Sequence, residues 1–236
     1  TNGSPNDDED DITITVVTPA TIYDIQYTDV QGTDPDCYPS QSEEMSVTTT
    51  GIVTHKIYEG HGTHENNFFL QDGDDAWSGI YVYDYDIEPN VGDELMLSGT
   101  IGEYGGGTQL KDVSSSTLLS ENNSVSPLII SSLEELGGYE CNAFGERYES
   151  MLITVNNVKW DESTEYEWVI SDNSGYQALV DDHLFDGNFP DDPPEGNFSI
   201  TGIVNSYYDF KISPRYHADI DEGEELTLEY SFYNIK

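Results

Sequence analysis

The sequence contains an internal repeat. Three segments of the first half return in the same order in the second half: residues 47–53, 68–72 and 92–101 correspond to residues 152–158, 167–172 and 196–204. Matched positions lie 100 to 105 residues apart, as in Val53 and Val158, Asp72 and Asp172, or Gly99 and Gly202. A repeat of this length is a whole domain, because the units of solenoids and propellers have about 20 to 50 residues. We therefore expect two domains, each with a hydrophobic core of its own.

Both copies have the sequence pattern of all-β domains. Short runs of alternating apolar and polar residues are separated by Gly, Asn, Asp and Pro, which is typical of strands joined by tight turns. Each copy opens with a short segment that we predict to be helical, residues 21–26 in the first and residues 131–137 in the second. In the second segment Ser132 and Glu135 have the spacing of a capping box, and Gly137 is a natural helix end.

The two ends of the chain carry further predictions. Residues 1–11 are an acidic block without an apolar face, which predicts an unstructured arm. Ile12, Ile14 and Val16 then alternate with polar residues and predict a strand. We divide the chain into three parts: an acidic arm with a free or donor strand (1–19), a first module (20–120), and a second module with a C-terminal strand near 226–232 (121–236).

The order of short motifs points to a known family. Residues 51–110 contain Gly-Ile-Val, Phe-Phe-Leu-Gln-Asp, Gly-Ile-Tyr-Val-Tyr, Val-Gly-Asp, Leu-Ser-Gly-Thr-Ile-Gly-Glu-Tyr and Thr-Gln-Leu. This order resembles the OB-fold modules attached to secreted bacterial endonucleases and other exported multidomain proteins. The second copy, with Val-Asn-Asn-Val, Trp-Val-Ile-Ser-Asp and Phe-Lys-Ile-Ser-Pro-Arg, is similar to the partner module that often follows.

The resemblance implies a fold and little chemistry. It covers about residues 20–220 and implies an all-β chain of two consecutive OB-like five-stranded β-barrels, with short helical segments and an extended N-terminal arm. The nuclease activity of that family resides in a separate domain, so the resemblance implies no catalytic residue here. OB barrels host many ligands, and the function has to be argued from the site.

The composition is strongly acidic. The chain has 47 Asp and Glu residues against 7 Lys and Arg, for a formal net charge of −40. Such a charge repels phosphate backbones, which disfavours nucleic acid as a direct ligand. Its simplest interpretation is solubility in a salty or calcium-rich medium, where ions screen the self-repulsion.

Several features favour an exported protein. No run of 18 apolar residues is present, so we expect no membrane span. The sequence opens on Thr1 without a basic-then-apolar leader, which we interpret as a processed N-terminus and an extracellular or cell-surface location. In that setting the two cysteines, Cys37 and Cys141, predict a disulfide, the alternative being two unrelated thiols.

A group of tyrosines is the first candidate site. Ile80 and Val82 alternate with Tyr81, Tyr83 and Tyr85, so a strand here places the tyrosines together on one face. We predict a binding platform for sugar rings, a partner strand or another subunit, because this region of an OB barrel is where ligands stack. The alternative is that they are ordinary strand tyrosines, which pleated surfaces favour.

Two kinds of metal site are candidates. His61 and His64, flanked by glutamates, have the ligand types for a transition metal, although a polar loop explains the same residues. Calcium takes six to eight oxygens, and acidic clusters could supply them. The clusters that we single out are Asp72, Asp74 and Asp75 in the first copy and Asp181, Asp182 and Asp186 in the second.

The expected function is non-catalytic. No nucleophile elbow, His-Glu-x-x-His motif or phosphate loop occurs. We expect an extracellular structural or binding protein, with itself, another extracellular protein or a glycan as partner, calcium as the one expected cofactor, and no organic cofactor. The alternative is an accessory OB-fold module that positions substrate for a secreted nuclease or phosphatase. The remaining alternative is that the chain is part of a metal-dependent hydrolase. This alternative requires that His61 and His64 bind a reactive metal.

Self-assembly is one form that the structural function could take. The strand with Ile12, Ile14 and Val16 could add to a sheet edge of the next subunit, since main-chain hydrogen bonds supply affinity in such additions. Repeated head to tail, this contact gives an open filament. The alternative is that the strand completes its own barrel or the C-terminal sheet.

We therefore predict that the full chain forms filaments in electron micrographs and that a chain lacking residues 1–18 does not. The deletion removes the strand that would join neighbouring subunits. Filaments formed by the shortened chain would contradict strand donation.

Overall fold

A closed five-stranded barrel forms the first half of the molecule. The computed structural model describes residues 18–33, 36–57, 66–137, 143–164, 167–190, 192–206 and 210–222. The barrel strands are β1 (Ser46–Lys56), β2 (Phe68–Gln71), β3 (Gly79–Tyr83), β4 (Glu94–Tyr104) and β5 (Gly107–Ser120). Their order around the barrel is β1-β2-β3-β5-β4, and β4 pairs with β1 to close it. Only the contact between β3 and β5 is parallel among these five pairings.

A second sheet forms the other half. Its strands are β6 (Leu128–Ile130), β7 (Leu152–Ser163), β8 (Glu167–Ser171), β9 (Gln177–Asp181), β10 (Asn197–Asn205), β11 (Lys211–Ser213) and β12 (Ile220–Asp221). The strand order is β12-β10-β11-β9-β8-β7-β6, and β10 also pairs with β7. The protein is therefore mostly β, as the alternating sequence pattern predicts. The N-terminal strand with Ile12, Ile14 and Val16 and the C-terminal strand near 226–232 lie outside the described residues.

The two short helices predicted before the copies are both present. The first is α1 (Ile22–Gln26), which begins with a capping box between Thr21 and Asp24. The second is a 3₁₀ helix (Leu133–Leu136), with Ser132 as N-cap and Gly137 as C-cap at φ 79°. Two further short segments are α2 (Ala143–Glu146) and a 3₁₀ turn (His217–Asp219).

The hydrogen bonds at the start of the second helix differ from those of the predicted capping box. Ser132 accepts from the backbone N–H of Glu134, and Glu135 accepts from the N–H and hydroxyl of Ser131 instead of from Ser132. The tighter 3₁₀ turn explains the difference, because it shifts each side chain relative to the backbone by comparison with an α-helix.

The repeated aspartates have the same structural role in both halves. Asp72 follows β2, and its Oδ2 accepts a hydrogen bond of 2.7 Å from the N–H of Ile22, the first residue of α1. Asp172 follows β8, and its Oδ2 accepts one of 2.9 Å from the N–H of Leu133, the first residue of the 3₁₀ helix. A carboxylate at a helix start satisfies N–H groups that have no partner within the helix. The repeat therefore preserves a junction between a strand end and a helix start.

The repeated glycines allow two strands to approach closely. A Cβ added to Gly99 on β4 would lie 2.8 Å from the carbonyl oxygen of Lys111 on β5. A Cβ added to Gly202 on β10 would lie 2.8 Å from the carbonyl oxygen of Ser213 on β11. Glycine within a strand commonly marks such a close approach or a bend. The close approach of the neighbouring backbone explains why glycine occurs at both positions.

Each half has its own hydrophobic core. The barrel core includes Val53, Phe68, Leu70, Ile80 and Leu110, together with Ile22 and Ile25 from α1. The second core includes Leu133, Met151, Val158, Ile170, Phe198 and Ile200. Burial of one such side chain stabilises the fold by about 1.5–3 kcal/mol. The prediction that each copy of the repeat carries a core is confirmed.

Replacement of Asp172 by Ala should destabilise the protein by about 1–3 kcal/mol, because it leaves the buried N–H of Leu133 without an acceptor. Burial opposes ionisation of Asp172, but hydrogen bonds from the Ser132 hydroxyl and from the N–H groups of Leu133, Ser174 and Tyr176 lower its pKa. The stabilisation is present above the ordinary pKa of 3.8 and is lost as the pH falls through the lowered folded-state pKa.

Urea unfolding of Asp172→Ala beside Asp74→Ala measures this effect. Asp74 is exposed, so its substitution serves as the control. Equal stability of the two variants at neutral pH would contradict the capping role of Asp172.

Candidate functional site

A third apolar cluster joins the barrel to the second sheet. It is made by residues of both halves that pack side by side: Ile57 and Phe69 from the barrel, and Leu152, Leu184 and Ile203 from the second half. Tyr81 packs against the cluster. Because these side chains are buried against one another across the two halves, the hydrophobic effect favours the association of the halves.

Hydrogen bonds and close backbone packing add to this contact. The Gln71 Oε1 on β2 accepts from the N–H of Leu152 at 2.9 Å, and His55 Nε2 lies 2.7 Å from the carbonyl oxygen of Leu184. A Cβ added to Gly79 would lie 2.6 Å from the backbone at Ser150 and Met151. The two backbones are therefore in contact, with no room for a side chain between them.

A buried ion pair completes the junction. Arg215 Nε and Nη2 donate to the two carboxylate oxygens of Asp219 at 2.8 and 2.9 Å. Arg215 Nη1 donates to the carbonyl oxygen of Thr54 on β1 at 3.0 Å. Arg215 is 8% exposed and Asp219 is 5% exposed. This arginine, one of the 7 basic residues in the chain, therefore links the second half to the barrel wall.

A cavity of about 750 Å³ lies at this junction. The barrel contributes aromatic side chains to its wall, namely Phe69, Tyr81, Tyr83 and Tyr104. The second half contributes polar and charged groups, among them Glu149, Asp182, Asn205 and Lys211. This volume is within the range of small-molecule sites, which combine apolar walls with a few oriented polar groups.

Of the three tyrosines predicted to form a binding platform, two line the cavity and the third lies at the surface. Ile80 and Val82 are fully buried in the barrel core, so the tyrosines point to the opposite face of β3. Tyr81 and Tyr83 line the cavity. Tyr85 lies beyond the end of β3, is 48% exposed, and hydrogen-bonds to Tyr83 through the two hydroxyl groups at 2.5 Å.

A ring contact and a hydrogen bond fix the position of Tyr81. Its ring packs on Phe69 with 5.1 Å between centroids, and its hydroxyl accepts from Asn67 Nδ2 at 2.7 Å. Burial raises the pKa of Tyr81 above its ordinary value, although the hydrogen bond from Asn67 opposes the shift. The hydroxyl therefore stays neutral at physiological pH and presents an uncharged ring to the cavity.

The lysine of the cavity is neutralised by two acids. Lys211 Nζ lies 2.7 Å from Glu167 Oε1 and 3.5 Å from Asp181 Oδ2. Burial opposes its charge, but these two carboxylates raise the pKa of Lys211. Lys211 therefore remains protonated, and its charge is compensated within the protein instead of attracting an anion.

The aspartates proposed for calcium have other interactions in the structure. Asp72 accepts from Ile22, and Asp181 pairs with Lys211 and accepts from the N–H of His183. The backbone N–H of Asp186 donates to the carbonyl oxygen of Arg215, and Asp182 lines the cavity. Asp74 and Asp75 lie in the turn that follows Asp72.

No cluster of three metal-ligand side chains occurs in the described part of the chain. His61 and His64 lie outside the described residues. Calcium binding by either aspartate cluster and metal binding by the two histidines stay predictions.

Cys37 is disulfide-bonded. The one other cysteine of the sequence, Cys141, lies outside the described residues. A disulfide at Cys37 is the bonding state that the sequence predicts for an exported chain.

Sequence reasoning missed three carboxyl groups near the cavity, of which Glu146 and Glu149 are buried and Glu103 is half-buried. Burial raises the pKa of Glu103 to about 7, although it accepts hydrogen bonds from Ser40 N–H and the Thr108 hydroxyl. Burial and the nearby charge of Glu103 raise the pKa of Glu146 to about 8. Burial, followed by the charges of Glu146 and Glu103, raises the pKa of Glu149 well above 4.5. Nothing in the sequence marks these three among 47 acidic residues.

No known protein family, curated protein or solved structure matches the chain. Within the described residues, no helix has the length and apolar character that crossing a membrane requires.

We predict that Arg215→Met destabilises the protein by about 3–5 kcal/mol, because it leaves Asp219 buried without its partner. The double variant Arg215→Met, Asp219→Leu should recover most of this loss, since it removes both charges. Thermal and urea unfolding measure both effects.

Lys159→Met is the matched control. Lys159 pairs with Asp161 at 3.7 Å, but its side chain is 58% exposed, and such surface pairs contribute about 0–1 kcal/mol. A loss at Arg215→Met no larger than the loss at Lys159→Met would show that the buried pair does not hold the junction.

Proposed function

We propose that this chain is a non-catalytic binding protein and that the cavity between its two halves receives a neutral, hydroxyl-rich ligand, a glycan. The observation that carries the proposal is the composition of the cavity, with aromatic rings on one wall and hydrogen-bonding groups on the other. Rings of this kind pack against apolar faces, while amide and carboxyl groups orient a ligand through hydrogen bonds.

We further propose that both halves are OB-like. The barrel order β1-β2-β3-β5-β4 with a parallel contact between β3 and β5 supports this for the first half. In the second half β7 pairs with β8, β8 with β9, β9 in parallel with β11, β11 with β10, and β10 with β7. This is the same sequence of pairings, and the repeated positions at Asp172 and Gly202 support the correspondence.

The charge of the protein favours a neutral ligand over a nucleic acid. The net charge of −40 repels phosphates, and Lys211 is already paired with Glu167 and Asp181. A sugar carries no charge that this field would repel, and its hydroxyl groups donate to carboxylates and amides such as Asp182 and Asn205.

We also propose that the protein is extracellular. The disulfide at Cys37 supports it, because disulfides persist mainly in oxidising compartments. Assembly into filaments through Ile12, Ile14 and Val16 remains a separate hypothesis, since those residues lie outside the described part of the chain. Calcium bound by surface carboxylates is likewise a hypothesis.

Screening of a glycan array, followed by isothermal titration calorimetry with the best neutral oligosaccharide, tests the proposed function. We expect Tyr83→Ala and Gln109→Ala each to weaken binding about tenfold or more, which corresponds to about 1.4 kcal/mol. Both side chains line the cavity.

Tyr23→Ala is the matched control. Tyr23 is 46% exposed and stacks on Tyr27 away from the cavity wall, so its loss should leave affinity unchanged. Failure of every neutral saccharide to bind, or equal affinity of Tyr83→Ala and the unaltered protein, would refute the proposal.

A further inference from the structure

The second half of β5 has a backbone edge that no other strand covers. Residues 115–120 of β5 pair with residues 94–98 of β4 on one side. On the other side, β5 pairs with β3 only through residues 109–111. Within the described residues, no strand pairs with the outer edge of residues 113–119. The N–H and C=O groups of alternate residues on this edge therefore point away from the barrel, which is the arrangement that accepts an additional strand.

Two leucines on this edge are exposed. Leu118 is 51% exposed and Leu119 is 47% exposed. Leu118 lies directly opposite Leu95, which is buried in the barrel core, so these two side chains are on the same face of the sheet. Leu118 therefore points to the apolar face, but no neighbouring strand in the described part of the chain covers it. An added strand would extend the core over this side chain.

This edge lacks the features that normally prevent strand addition. Residues 113–120 contain no charged residue and no proline. The two edge strands of the second sheet differ: β6 has three residues and follows Pro127, and β12 has two residues, one of which is Asp221. Short strands, proline and charge all protect an edge from pairing with another chain. The β5 edge is long and uncharged by comparison, and it has none of this protection.

Residues 12–17 have the length and the sequence pattern of a strand that fits this edge. Ile12, Ile14 and Val16 alternate with other residues, and the segment carries no charge. At about 3.3 Å per residue, such a segment extends over about 20 Å, close to the span of the uncovered edge. Beside β5, the three alternating apolar side chains would lie on the face of Leu118. The segment lies outside the described residues, and its pattern comes from the sequence.

The first described residues enter the barrel far from this edge, which favours a segment from a second copy. Ala20, near the start of the described chain, pairs in parallel with Thr49 in the first half of β1. Because this pairing is parallel, the chain enters past Ser46, the first residue of β1. In the strand register that end of the sheet is the end near Lys111, whereas Leu118 lies toward the other end. In addition, β4 lies between β1 and β5.

We propose that the uncovered edge of β5 accepts an extended strand and that this strand is residues 12–17 of a second copy of the chain. Main-chain hydrogen bonds supply the affinity, and the apolar side chains beside Leu118 fix the register. Because donor and acceptor are different parts of the chain, each copy accepts one neighbour and joins another, which gives a head-to-tail assembly. The residues of β5 that line the cavity are Gly107, Thr108 and Gln109, so this contact is separate from the proposed glycan site.

Sedimentation velocity of the full chain in high salt tests this contact, since salt screens the repulsion between copies that each carry a net charge of −40. We expect association that increases with protein concentration. Leu118→Lys places a charge on the acceptor edge, and Ile14→Lys places one on the donor segment. Each change should weaken association about tenfold or more, because the added strand would bury the new charge.

Ile129→Lys is the matched control, because Ile129 is 67% exposed on β6 and receives the same change on a different sheet edge. We expect this variant to associate as the unaltered protein does. An unaltered protein that stays monomeric at every concentration, or equal association of Leu118→Lys and Ile129→Lys, would overturn the proposal. Loss of association in Leu118→Lys but not in Ile14→Lys would also overturn it, since two β5 edges would then pair with each other.

Hydrogen–deuterium exchange of the unaltered protein provides a measurement that does not depend on the folding of a variant. We expect the amides of residues 12–17 and 113–119 to exchange more slowly at high than at low protein concentration, since new main-chain hydrogen bonds protect them. Residues 128–130 of β6 should exchange equally under both conditions. Unchanged exchange of residues 113–119 in protein that has associated would show that another surface joins the copies, which contradicts the proposed acceptor.

Discussion

The close contact between the barrel and the second half is the constraint on which the candidate site depends. Gly79 touches the backbone at Ser150 and Met151, and Arg215 spans from Asp219 to the carbonyl oxygen of Thr54. Neither half alone has both walls of the cavity, because the aromatic wall belongs to the barrel and most polar groups belong to the second half. The repeat therefore generates a site that a single copy lacks.

This junction also accounts for where polar groups are buried. Arg215 and Asp219 neutralise each other, and Lys211 is compensated by Glu167 and Asp181. Glu146 and Glu149 are buried as well, and burial raises the pKa of both carboxyl groups.

The mostly β character and the buried faces of individual strands were predictable because their determinants are local in sequence. The alternation of Ile80 and Val82 with tyrosines fixes the buried face of β3, and the repeated Asp172 and Gly202 mark a helix cap and a close strand approach. The site was less predictable because its partners are distant. Thr108 and Glu149 are 41 residues apart, and His55 and Leu184 are 129 apart. Acidic spacing alone cannot show that Asp181 pairs with a lysine or that Glu149 is buried.

Differential scanning calorimetry of the full chain tests the central claim that the two halves form one unit around the cavity. The account predicts a single unfolding transition in which the calorimetric and van't Hoff enthalpies agree, as expected when two parts unfold together. Two resolved transitions, each with the enthalpy of about half the chain, would show that the halves unfold independently and would contradict it.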